Sequence, residues 1–191
     1  MVDTCLSAQA INNIESIDEF LQSVEKRAYK MAIISLRDHH DALDVIQDSM
    51  IKLVTHYSER SIDELKPLFY RILQNRITDW HRHQKLKNFI FFWQTDNDNL
   101  ESDTFLDSAS ADVNSVAAPE DDLRYTQAKQ QVTKALECLS LQQQQCYLLR
   151  SWEGFSVADT AKILGCSQGS VKTHYFRAMA KMKEVLEVDN D

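Results

Sequence analysis

Apolar residues recur every three or four positions through most of this chain, the mark of helices that each bury one face. From Ile17 to Leu36 the repeat runs Phe20, Leu21, Val24, Ala28, Met31, Ala32 and Ser35/Leu36. From Ala42 to Tyr57 it runs Leu43, Ile46, Met50, Leu53 and Val54. A third helix is predicted from about Glu64 to Leu86, with Leu68, Phe69, Ile72, Leu73, Ile77 and Trp80 inward and Pro67 confined to its first turn. The pattern lapses between Gln94 and Asp122 and resumes towards the C-terminus.

The most specific stretch is Ser156 to Lys183, which reads as two capped helices around a glycine turn. Ser156 suits the N-cap of a helix whose Val157, Ala158, Ala161 and Ile163/Leu164 share a face. Gly165 can take the left-handed conformation that ends it, and Ser167 can accept from the first free amides of the next helix. That second helix places Val171, Tyr175, Ala178 and Met182 on one side and Lys172, Thr173, His174, Arg177 and Lys181 on another. It is the layout of a helix-turn-helix whose second helix enters a major groove. An ordinary helical hairpin with a solvated basic face is the bland alternative. Charge segregation argues for DNA: five Lys/Arg and no acid lie between Asp159 and Glu184, in a chain of net charge −8.

Charge also divides the chain. Residues 1–93 carry 12 basic and 13 acidic groups, 94–122 carry 9 acids and no base, and 123–191 carry 9 basic and 7 acidic groups. The middle segment is rich in Asp, Asn and Ser and ends at Pro119, as expected of a flexible, self-repelling linker. The expected fold is all-α, with two small helical domains (1–93 and 123–191) joined by the acidic linker 94–122.

On the third helix, five basic groups and one acid lie from Arg71 to Lys87, interleaved with Tyr70, Trp80, His81 and His83. Charge and stacking of this kind grip single strands. Phe69 and Trp80 are expected in the core, and Tyr70 suits either role. On the second helix Asp41, Asp44, Gln47 and Asp48 form an acidic strip. The helix dipole explains such a strip, and so does a protein-docking surface.

Other chemistry finds little support. Cys5, Cys138, Cys146 and Cys166 lack Cys-x-x-Cys spacing and are expected as buried free thiols. The histidines have no zinc frame, so no metal is expected. Neither an apolar run of membrane-spanning length nor a basic-then-apolar leader occurs, which predicts a cytoplasmic protein without membrane insertion. No glycine-rich phosphate loop or Ser/His/Asp arrangement stands out, so neither enzyme activity nor a cofactor is expected.

Asp44-Val45-Ile46-Gln47-Asp48, then Tyr70 to Asp79, the acidic linker, Leu148 to Gly154 and Gly169 to Ala178 occur in an order that resembles bacterial RNA polymerase sigma factors of the extracytoplasmic-function group of the sigma-70 family. The resemblance covers residues 17–186. It implies that Asp44, Gln47 and Asp48 bind the core polymerase, and that Tyr70, Arg71, Asn75, Arg76 and Asp79 melt and read a partly single-stranded −10 element. It further implies that Lys172, Thr173, His174, Phe176 and Arg177 read a double-stranded −35 element, and that an anti-sigma factor is a partner. The chain departs from the family pattern in two respects. Leu68/Phe69 replace the usual tryptophan before the −10 helix, and His174 and Met179 stand where arginine is common. The rivals are a helix-turn-helix regulator that binds operators as a dimer without polymerase, and a helical enzyme.

Overall fold

The computed structural model describes residues 3–95 and 130–188, with side chains placed for 17–90 and 130–186. Apart from its first two residues, the acidic segment 94–122 lies outside the described residues, as does Cys5's side chain. Helix α1 spans Asp3–Leu36, α2 His39–Tyr57 and α3 Ile62–Thr95. Residues 130–137 form α4, and α5 (Leu141–Tyr147) continues into a π-helical turn, Leu148–Trp152. Helices α6 (Val157–Leu164) and α7 (Gln168–Val188) complete the all-helical fold.

Local chemistry sets the helix ends. Arg37 takes a left-handed φ of 60°, and its amide donates to Ile33 O at 2.9 Å, closing α1 as a glycine usually would. Asp38 then caps α2 by accepting from the Asp41 amide at 2.9 Å, a bond that holds its carboxyl below the usual range. Helix α3 begins at Ile62, so Pro67 falls inside the helix rather than in its first turn. The reason is that the Ser61 carbonyl already accepts from the Glu64 and Leu65 amides. The missing proline N–H leaves the carbonyl of Asp63, an exposed residue, without its ladder donor, where water can replace it.

Helices α1, α2 and α3 pack against one another around Ala28, Met31, Leu53, Phe69, Leu73 and Ile77, all at 1% exposure or less. Burying the larger of these side chains, Met31, Leu53, Phe69, Leu73 and Ile77, contributes about 1.5–3 kcal/mol each. Phe20 meets Phe69 edge-on, with ring centroids 6.2 Å apart. In the C-terminal part, Cys146, Ala161 and Val171 form a small core joining α5, α6 and α7. Ser156 accepts from the Asp159 amide, Gly165 is left-handed with φ 64°, and Ser167 accepts from the Ser170 amide at 3.0 Å. The helix-turn-helix therefore forms with the three punctuating residues the sequence marks.

The two helical domains are in contact. Ala135, Leu136, Leu148, Leu149, Ile163 and Met182 belong to the same apolar cluster as the α1–α3 core, and α6 packs on α3. Cys146 is buried, but Cys138 and Cys166 are exposed, contrary to the expectation of buried thiols. Each follows the end of a helix and so leaves the apolar stripe.

Candidate nucleic-acid and polymerase interface

Helix α2 turns Ala42, Val45, Ile46, Ser49 and Leu53 inward, which leaves Asp44, Gln47 and Asp48 exposed on its outer side. Leu43 (37% exposed), Ile51 (64%) and Val54 (43%) also face outward. Leu43 and Val54 were expected in the core. They belong to a second helical stripe offset from the buried one, and the neighbouring helices cover only the first. The sequence reading thus missed three apolar residues set among the acidic strip. Together they make an amphipathic surface suited to binding a protein rather than an isolated cluster of carboxylates.

On α3, Arg71, Asn75 and Asp79 follow one another at intervals of four and are all exposed. Asp79 pairs with Arg82 at 3.2 Å, and half-exposed Arg76 reaches across to Asp48 on α2 at 3.7 Å. Tyr70 does not join this surface: it is completely buried. Its ring lies edge-on to Phe69 at 5.4 Å and to Phe155 at 5.5 Å. Burial first, and the Glu153 carboxylate second, push its hydroxyl far above the usual phenol range, so it stays protonated. Trp80 is half-buried against the core, as expected.

On α7, Val171, Ala178 and Met182 anchor one face while Lys172, Thr173, Phe176 and Arg177 stand exposed on the other, Phe176 at 73%. His174 falls between the two. It is three residues after Val171 and four before Ala178, so it sits half-buried at the edge of the seam with Nδ1 enclosed. The helix is held in place by Tyr175, whose ring stacks on Tyr147 at 6.4 Å. Its hydroxyl bonds Ser151 at 3.0 Å, and the Arg150 guanidinium lies 5.5 Å from the ring centroid. The exposed face therefore offers two cations, a hydroxyl and a large apolar ring. These can contact phosphates, base edges and thymine methyl groups. Among the described residues no group of His, Cys, Asp or Glu could hold a metal ion, and no helix is long and apolar enough to cross a membrane.

Known proteins fit the same frame. The sigma-70 region 2 description matches residues 17–87, and sigma-70, region 4 matches residues 129–182. The chain belongs to the sigma-70 family, in its extracytoplasmic-function group. It is a sigma factor, a non-enzymatic subunit that directs promoter-specific transcription initiation by RNA polymerase. It is 35% identical over 79 residues to the ECF RNA polymerase sigma factor BldN of Streptomyces coelicolor, covering 41% of this chain and only 30% of that one. It is 25% identical over 179 residues to the RNA polymerase sigma-E factor of Streptomyces avermitilis, covering 93% of this chain and 89% of the other. Among solved structures it is similar to the sigma factor RpoE of Bartonella quintana in complex with the anti-sigma factor NepR. The TM-score is 0.61 at 25% identity, over 92% of this chain and 96% of that chain.

Proposed function

We propose that three exposed surfaces divide the work of this sigma factor. Asp44, Gln47 and Asp48, with Leu43, Ile51 and Val54 among them, dock on core polymerase. Arg71, Asn75, Arg76 and Asp79 meet the −10 element as it melts, and Tyr70 joins them once its cover is removed. Lys172, Thr173, Phe176 and Arg177, with His174 at the margin, read the −35 element as duplex. The functional units are residues 1–93 and 123–191, with 94–122 as the acidic connector. The protein acts in the cytoplasm and is restrained by an anti-sigma factor, the kind of partner that RpoE of Bartonella quintana has in its co-crystal.

The observation that carries this reading is the face of α7, where a helix capped at Ser167 and wedged by Tyr175 leaves Lys172, Arg177 and Phe176 in solvent. A ring 73% exposed has little structural use in the free chain and a direct one against a base edge. Footprinting of the reconstituted holoenzyme tests it. Lys172→Ala with Arg177→Ala should remove protection at the −35 element while leaving polymerase association intact. Unchanged −35 protection would refute the assignment of α7.

A further inference from the structure

We propose that the C-terminal turns of α3 carry a base-stacking site, in which Phe89, flanked by Leu86 and Ile90, receives an unpaired base at the edge of the melted −10 element. Leu86, Phe89 and Ile90 are large apolar side chains left 56%, 59% and 50% exposed within a short stretch of one helix. A contiguous apolar patch on an otherwise polar helix surface marks a site of contact. Its register ties it to the reading surface. Phe89 lies about five turns after Arg71 at about 3.6 residues per turn, while Leu86 lies about three turns after Asn75 and Ile90 about three after Asp79. The three therefore continue, along the same face of α3, the line of Arg71, Asn75 and Asp79. At about 1.5 Å per residue Phe89 stands about 15 Å beyond Asp79, a reach of about four bases at about 3.4 Å each.

Charge selects the occupant. Arg82, Lys85 and Lys87 are the charged residues between Asp79 and Thr95, where the helix ends, and none is an acid. On α2 the exposed apolar residues Leu43, Ile51 and Val54 lie among Asp44 and Asp48, so the two apolar surfaces of this unit carry opposite charge and suit different partners. Cations beside an apolar ring suit phosphates beside a base. No other ring is as well placed: Phe20, Phe69 and Tyr70 are buried, and Tyr29, Tyr57 and Trp80 are half-buried. Among described residues 17–90, Phe89 is therefore the one exposed Phe, Tyr or Trp. A base inside a duplex gives its faces to its neighbours in the stack, so this site fills only when the strands part. A contact made only with parted strands favours the open state without adding to duplex binding. Its place at the −10 element rests on the reading of α3 proposed above.

Holoenzyme reconstituted from core polymerase and the full chain tests the site, on a promoter that the wild-type holoenzyme has selected from a randomised duplex library. Selection of no promoter would count against the functional reading itself, so the two failures are distinct. Phe89→Leu keeps the apolar bulk and loses the stacking face, whereas Phe89→Tyr keeps both. Phe89→Leu should weaken binding to the selected promoter with its −10 element pre-melted by mismatches by about fivefold or more. Its binding to the fully paired promoter in the cold, and its association with core enzyme, should stay within about twofold of wild type. Phe89→Tyr should bind pre-melted DNA as wild type does, and Leu86→Ser with Ile90→Ser should weaken that binding in the same direction. All three positions are exposed, and circular dichroism checks that the variants keep their helices. Equal binding of pre-melted DNA by Phe89→Leu and wild type would overturn the proposal. So would weakened core association, which would make the ridge a protein-docking surface, or an equal loss on paired and pre-melted DNA.

Discussion

Arg76 Nη1 on α3 and Asp48 Oδ2 on α2 are 3.7 Å apart, so one ion pair joins the expected polymerase-docking strip to the expected −10 surface. Both side chains are well exposed, at 42% and 59%, which limits the pair to about 1 kcal/mol or less. Its position rather than its strength matters: a partner that draws Asp48 away frees the Arg76 guanidinium for phosphate.

That weakness makes the docking strip testable. Asp44→Arg with Asp48→Arg should abolish co-elution with core polymerase while lowering stability by no more than about 1 kcal/mol, because both positions face solvent. Ile51→Asp, at a 64% exposed site, should weaken the same association without unfolding the chain. Gel filtration with core enzyme and thermal unfolding check both. Full association by a folded double mutant would remove the strip from the interface.

The two DNA surfaces should separate by mutation. Lys172→Ala and Arg177→Ala should each weaken −35 binding. Wherever the lost side chain met a phosphate, the slope of log K against log salt should fall by about 0.9. Asn75→Ala should leave that binding untouched and change base preference at −10. Salt titrations of duplex binding and transcription from a −10 library give the two readouts.

The turn between α6 and α7 makes a stability prediction. Gly165 has φ 64°, and an added Cβ would meet nothing within 4 Å, so the cost of Gly165→Ala is conformational rather than steric. About 1–2 kcal/mol should be lost, seen as a lower urea midpoint. An unchanged midpoint would mean that the turn relaxes out of the left-handed region.

These elements differ in how openly the sequence declares them. The α6–turn–α7 unit was legible because Ser156, Gly165 and Ser167 act on backbone groups within a few residues of themselves. Tyr70 was not, since its cover is Phe155 and Glu153, brought to it only by the packing of the two units. Leu43 and Val54 misled for a related reason. Two apolar stripes run along α2 and both satisfy helical spacing, and only the placement of α1 and α3 decides which one is buried. The burial of Glu153 left no local signal, because the cations that face it, Arg27 and Lys66, sit on α1 and α3. A lone glutamate after Trp152 reads as surface until the fold encloses it.

The acidic connector gives a further prediction from charge alone. Nine acids and no base lie in residues 94–122. Replacing those acids with Asn or Gln preserves reach, which depends on length, but removes repulsion towards DNA. Nonspecific DNA affinity of the free factor should rise and abortive-product ratios should change. If both matched the unmodified protein, the segment would be a plain spacer.

Run-off transcription with purified core enzyme shows whether this chain turns core polymerase into a promoter-specific enzyme through its two DNA-reading units. Adding the chain should yield a transcript of defined start from a cognate promoter, lost with Asp44→Arg/Asp48→Arg and absent from core alone. Specific operator binding by the chain as a dimer, with no initiation on adding core, would contradict the account.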